Sequence, residues 1–340
     1  MMRSLISCVG CALLMALLLG SVAHAEVVIE TVPVGNTANS ANSHGEGAVS
    51  YDYRIGKYEV TAAQYCEFLN AVAKTDTYGL YNTLMWTATG NQMGCKIQQA
   101  GSSGSYAYSV ASDWGNRPVN YVSWGDAARF ANWLQNGQPT GSQDSTTTED
   151  GAYYLNGATS ETALMAVIRE ADWTWAIVSN DEWVKAGYHK NDGDTGNYWK
   201  YPTSSQTTPS NNWVDPDAGN NVTCLGGVST DYTIGEPYYR TVVGEHENSE
   251  SPYDTFDQGG NVLEWTEACD GAAARRTRGG HYASVVANME ISSAWQTWVP
   301  ASPTAEWRSV GIRLVNVPEP ATMGLVGLGV VFLVKARRRK

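Results

Sequence analysis

The stretch GGNVLEWTEA, residues 259–268, decides how this chain is read. In an extended chain successive side chains alternate, so Val262 and Glu264 point one way and Leu263 and Trp265 the other. The pair Gly259-Gly260 breaks the strand at its start. Glu264 therefore carries a carboxylate in among large apolar side chains, which is costly unless it is paired or binds a cation. Two roles are open to it. With Asp257 it brackets a glycine turn whose carbonyls can point inward, an oxygen-only set suited to a hard cation such as Ca²⁺. Alternatively, Asp257 caps the turn and Glu264 pairs with an arginine, Arg278 or Arg313.

Outward from this strand the chain alternates short helices with long polar segments. Tyr53, Ile55 and Tyr58 form a strand-turn pattern around a glycine. Thr61 then opens a helix, with Gln64 three residues on completing a capping box and Tyr65, Phe68, Leu69 and Val72 at helical spacing. The same grammar recurs with Ser123 and Asp126, followed by Ala127, Ala131 and Leu134 and ended by Gly137. It recurs again with Ser179 and Glu182, followed by Trp183 and Ala186.

The polar segments 138–151, 203–227 and 230–251 are too long to stay structureless inside one domain, so something must hold them. Disulfides, metal ions or both are the expected means. Outside the first 25 residues there are four cysteines: Cys66, Cys95, Cys224 and Cys269. They allow up to two disulfides in any of three connectivities. None lies in a CxxC pair, which argues against zinc. There is no internal repeat and no linker between two cores, so the fold class is α+β in a single domain.

Both ends read as addresses. Residues 1–25 have one basic residue, an apolar run and a closing Ala23-His24-Ala25, the pattern of a cleaved export signal. Residues 26–50 read as a flexible polar lead, and 51–317 as the folded domain. At the other end, Pro318-Glu319-Pro320 precedes an uncharged run from Ala321 to Val334 and a basic cluster from Lys335 to Lys340. That run, as a helix, would rise about 21 Å. It is a short transmembrane segment whose basic end stays cytoplasmic. Between the two addresses stand 16 basic and 33 acidic residues. Such a surface repels nucleic acid and anionic lipid and tolerates divalent cations. Thirteen Trp and nineteen Tyr against four Phe suit an irregular fold rich in side chain-to-backbone bonds.

Six segments in series carry a resemblance: KYEVTAAQYCEFLN, RPVNYVSWGDAARFANWL, VSNDEWVKAGYH, SPYDTFDQGGNVLEWTEA, RTRGGHYAS and VGIRLV. From Tyr53 to Val315 the chain resembles the formylglycine-generating enzyme, or sulfatase-modifying factor, family. The resemblance implies a variant of the C-type-lectin-like fold with sparse secondary structure, long ordered loops and bound calcium. It implies a calcium loop with side-chain oxygens from Asp257 and Glu264 and carbonyls from Gly260 and Val262. It also implies a second calcium region near Asn212, Trp213 and Asp231. The tail, 318–340, resembles the PEP-CTERM sorting signal, which implies an exosortase-like partner and residence in the cell envelope, at the cell surface or in the extracellular matrix.

The family's chemistry does not carry over. Active members hold copper with two cysteines shortly after the Arg-Gly-Gly motif, and soft thiolates are what Cu(I) needs. Aligned on Arg278-Gly279-Gly280, those positions are Ser284 and Met289, with His281 where a serine is usual, and no cysteine follows Cys269. The four histidines outside the first 25 residues show no HxxxH or HExxH spacing for iron or zinc. The expected function is a calcium-stabilised binding or structural module that holds a peptide or a glycan. The alternative is an oxidoreductase of the formylglycine-generating or nonheme-iron type with altered residues, for which His281, Ser284 and Arg278 are the catalytic candidates. A cleft around Arg278–Ser284 that converges polar groups, or one filled by Trp295 and Trp298, bears on that choice.

Overall fold

The computed structural model describes residues 26–292 and 301–317. The terminal segments and Trp295 and Trp298 lie outside the described residues.

Among the described residues, nine strands and five α-helices are short and widely spaced. In chain order they are β1 (Thr31–Val34), β2 (Tyr53–Gly56), α1 (Ala62–Val72), α2 (Leu84–Thr87), β3 (Ile97–Ala100), β4 (Ala107–Val110), α3 (Trp124–Gln135), α4 (Glu161–Ala166), β5 (Trp175–Ile177), α5 (Asn180–Tyr188), β6 (Leu263–Asp270), β7 (Ala274–Arg278), β8 (Val310–Gly311) and β9 (Leu314–Asn316). Two sheets matter for the site. One has the order β1-β2-β9-β5, antiparallel throughout, so the last strand of the domain lies inside it. The other places β6 between β7 and β8, antiparallel to the first and parallel to the second. This is the α+β single domain that the sequence predicts.

All three expected capping boxes form: Thr61 with Gln64, Ser123 with Asp126, and Ser179 with Glu182. Each satisfies two of the orphan donors of a helix start and fixes where the helix begins. Helices α1 and α3 then meet through their aromatic residues. Phe68 contacts Phe130 edge-on, ring centroids 5.2 Å apart, and Trp133 at the same distance. Such geometry adds to the area these rings remove from water.

Two expectations are corrected. Residues 26–50 are not a flexible lead. Val27, Val32, Val34 and Val49 are buried in the core, and the buried Lys185 of α5 donates to the carbonyls of Asn36 and Val49. The polar run between them is tied by Asn39, whose amide donates to Gly47 O and Tyr198 Oη. Nor do disulfides hold the long loops, since Cys66, Cys95, Cys224 and Cys269 are all free thiols. Side-chain amides bridge the backbone instead: Asn132 of α3 and Asn136 at its C-cap donate to four carbonyls of residues 147–153. Among the described residues no helix is long and apolar enough to cross a membrane.

Candidate functional site

Glu264 is buried completely in β6, and it takes the second of its two roles. Arg313, between β8 and β9, lays its guanidinium against the carboxylate: Nη2 donates to Oε1 at 2.7 Å and Nε approaches both oxygens at 2.9 Å. Trp183 Nε1 of α5 donates to Oε2 at 2.6 Å. Three N–H groups, with that of Arg313 Nε shared between the two oxygens, satisfy the carboxylate. Burial raises the Glu264 carboxyl above its ordinary range and the Arg313 charge opposes this. The remaining Arg313 donors reach Gly56 O and Phe256 O, so one side chain ties β2 and the glycine turn to β6. Arg278 is paired with Glu264 across the β6–β7 ladder, yet its side chain bonds Asn180 and Glu46 instead.

The expected calcium set therefore needs correcting at one position. Glu264 faces a guanidinium, whose positive charge opposes a cation beside it, so it does not fit as a ligand. Asp257 accepts from Gly244 N at 2.6 Å, which is a turn-capping role. Gly260, at φ +95°, stands where a Cβ would lie 2.3 Å from Thr223 O, so only glycine allows the turn to close against that strand. Val262 is fully buried. Beside them, however, are two buried acceptors without any donor, Glu59 Oε1 and Asn261 Oδ1. These two side chains touch through Asn261 Nδ2 and Glu59 Oε2 at 3.3 Å. Burial, and then the nearby Asp257 charge, push the Glu59 carboxyl well above its usual range. No group of three or more His, Cys, Asp or Glu side chains among the described residues could hold a metal ion, so any cation here would lean on amide and main-chain oxygens.

In the second expected calcium region, Asp231 O accepts from Gly226 N and from Asn211 Nδ2. Trp213 is 52% exposed and donates to Glu245 rather than packing inward.

The Arg-Gly-Gly turn ends β7. Gly279, at φ +102°, lies where a Cβ would come within 2.8 Å of Gln258 O. Beyond it, the three catalytic candidates part company. Arg278 is 1% exposed and committed to Glu46 and Asn180. Ser284 Oγ accepts from His281 N at 3.0 Å and closes the turn. His281 lines a cleft of about 380 Å³, together with Gln92, Tyr121, Glu306, Trp307 and Arg308. Burial, and secondarily the Arg308 charge, push the His281 imidazole down to about 4, so it is neutral at pH 7. Its Nδ1 accepts from Ala283 N at 3.2 Å, which leaves Nε2 as the donor. A neutral donor beside a tryptophan, an acid and an arginine suits recognition. Among the described residues no basic side chain is hydrogen-bonded to Ser284 Oγ.

Glu306 also borders a smaller cleft of about 160 Å³ that contains Asp126. Asn82 Nδ2 donates to Glu306 at 2.7 Å. Burial followed by the Asp126 charge raises the Glu306 carboxyl to about 8, and burial raises Asp126 to about 6. For both acids the folded state holds a proton that the unfolded state releases near pH 4, so stability falls as pH rises through 6 to 8. Glu306→Gln is expected to flatten that decline, read as melting temperature at pH 5.5 against 8.5. An unchanged slope would show that the pair titrates normally.

Sequence reasoning missed one constellation. Asp217 and Thr223 of the segment 203–227 meet His246 of the segment 230–251, with His246 Nε2 3.2 Å from Thr223 Oγ1. Its Nδ1 is 4.0 Å from Asp217, too far for a hydrogen bond, and all three are buried. This is loop scaffolding, and no spacing in the chain announces it.

The profile of the sulfatase-modifying factor enzyme 1-like domain matches residues 22–318. The chain belongs to that family. A PEP-CTERM protein-sorting motif matches residues 316–340, which implies export and sorting at the envelope by an exosortase-type enzyme. Among solved structures the family member is similar to CarF, at 19% identity and a TM-score of 0.51, over 86% of this chain and 99% of CarF. It also matches variable protein 1 of Treponema denticola, at 14% identity and a TM-score of 0.49, over 86% and 98% of the two chains. PvdO from Pseudomonas aeruginosa follows at 13% identity and a TM-score of 0.42, over 85% and 91%. None of the curated proteins matches by sequence.

Proposed function

We propose that this exported member of the family is a recognition or structural module without the copper oxidase chemistry. The observation that carries this is what became of the two copper positions. Ser284 Oγ caps its own turn, and Met289 is fully buried with Tyr201, Val222 and Cys224, against Gly280. A hydroxyl committed to a turn and a thioether sealed in a core do not make a Cu(I) site. The cleft at His281 is the recognition surface, and a peptide or a glycan laid against Trp307 is its occupant.

Calcium belongs to the same proposal in altered form. The orphaned Glu59 Oε1 and Asn261 Oδ1, beside Asp257, would hold it, with Glu264 left to Arg313. A hard cation there would supply charge neutralisation and nothing else.

Metal analysis and melting of the refolded domain test both parts. Calcium at 100 times its dissociation constant is expected to add about 2.7 kcal/mol, which chelator removes. Glu59→Gln is expected to abolish that gain. A chelator-independent melt would remove calcium from the proposal and leave the neutral acid form of Glu59 as the occupant of its pocket. Bound copper, with conversion of a thiol peptide to an aldehyde, would overturn the whole reading in favour of an altered oxidoreductase.

A further inference from the structure

The last strand of the domain, β9, runs between β2 and β5, and its register says what surrounds the chain as it leaves. Asn316 lies opposite both Arg54 and Trp175, and Val317 N donates to Thr174 O at 3.0 Å. Because both neighbours are antiparallel to β9, the residues ahead of the exit are those that precede β2 and β5. Tyr51 stands on one side and Trp173 on the other, their rings 6.5 Å apart and edge-on. Tyr51 is 41% exposed. Trp173 is half-buried with the Arg169 guanidinium 4.2 Å from its ring centre, while Ile168 is 74% exposed and Tyr154 is 57% exposed, carried on two segments that bridge at Tyr153 and Arg169.

The uncharged run of the tail begins at Ala321, four residues beyond Val317. Fully extended, that link reaches about 14 Å. A headgroup layer takes up about 5–7 Å of it. While the tail is in the bilayer, the exit edge is therefore held within about 10 Å of the lipid surface, whatever the rest of the domain does. Tyrosine and tryptophan with exposed apolar area are the side chains that settle at such an interface. The charged groups on this edge narrow the lipid. Glu170 and Asp172 are exposed and face the same cleft as Tyr154, while Arg169 is spent on Glu182 and Glu267. Two free carboxylates disfavour anionic headgroups and favour zwitterionic ones that present an ammonium.

We propose that the edge formed by Tyr51, Tyr154, Ile168 and Trp173 is a bilayer-docking surface for zwitterionic, phosphatidylethanolamine-type lipid, engaged as long as the sorting tail is uncut. It rests on the membrane-anchored reading of that tail. Docking brings Val317, where the described chain gives way to the tail, to the lipid surface, so a sorting enzyme must approach the tail along the membrane plane.

Hydrogen exchange on the full chain tests this, in vesicles of phosphatidylethanolamine and phosphatidylcholine and in detergent. A second form carries a flexible spacer of roughly twelve residues, about 40 Å extended, between Val317 and Pro318. Amides of residues 168–174 are expected to exchange about tenfold more slowly in vesicles than in detergent, and the spacer is expected to abolish the difference. Equal exchange with and without the spacer would overturn the proposal. So would equal protection in detergent, which would mean that the tail itself covers the edge. Resistance to alkaline extraction is scored separately: a chain that washes off refutes the anchor, and docking with it. A chain that stays in the bilayer but shows no protection refutes docking alone.

Discussion

Arg313→Met is expected to destabilise the domain by about 3–5 kcal/mol, enough to unfold a typical single domain near its working temperature. The side chain is fully buried and makes four kinds of contact at once: both oxygens of Glu264, Gly56 O and Phe256 O. Removing it leaves a carboxylate in the core with only Trp183 Nε1 as donor, and strands two carbonyls. Most of the cost is the uncompensated charge rather than the attraction that was lost. Two further variants make that distinction measurable. Glu264→Gln keeps an acceptor for Trp183 but leaves the guanidinium without a counter-charge. The double variant Glu264→Gln/Arg313→Met buries no charge and is expected to be more stable than either single change, a coupling read from urea midpoints. A loss under about 1 kcal/mol for Arg313→Met would mean that a proton or another cation neutralises Glu264, and only a chelator-sensitive melt of the variant would return the loop to calcium.

Glu264 shows how far this sequence can be read unaided. Its alternation in GGNVLEWTEA correctly announces a buried carboxylate, because strand periodicity is local. The partner is 49 residues away, and between Arg278 and Arg313 the chain offers no local preference. Arg278 is even directly across the ladder, but its side chain is claimed by Glu46, a residue read as part of a flexible lead. The helices were legible for the same reason as the strand. Ser123 and Asp126 make their capping box within four residues, as do Thr61 with Gln64 and Ser179 with Glu182. The loops were not. Their order comes from amides such as Asn39 and Asn132 bonding to backbone that is distant in sequence, and a polar run that will be bridged looks the same as one that will not. The cleft at His281 was half legible. The Arg-Gly-Gly turn marks its rim, but Gln92, Tyr121 and Glu306 arrive from elements with no shared motif.

Asn132→Ala is expected to cost about 3 kcal/mol and to release the segment 138–151 while leaving α3 in place. Asn132 is fully buried on α3. Its Nδ2 donates to Thr148 O and Tyr153 O, both at 2.8 Å, and its Oδ1 accepts from Tyr153 N at 2.9 Å. Three bonds at about 1 kcal/mol net each give the estimate, and the stranded backbone groups push it upward if water cannot reach them. Alanine is a good helix former, so α3 itself loses nothing by propensity. The effect is therefore specific to the loop and separates two accounts of how this fold keeps long polar segments ordered. If side-chain amides hold them, limited proteolysis of the variant will nick within 138–151 at a concentration that spares the parent. Asn132→Asp will be worse, because it turns a negative charge toward two carbonyls. If instead the loop is held by Arg129 and Glu149, which pair at 2.7 Å beside it, then Asn132→Ala will lose under about 1 kcal/mol and the loop will stay resistant.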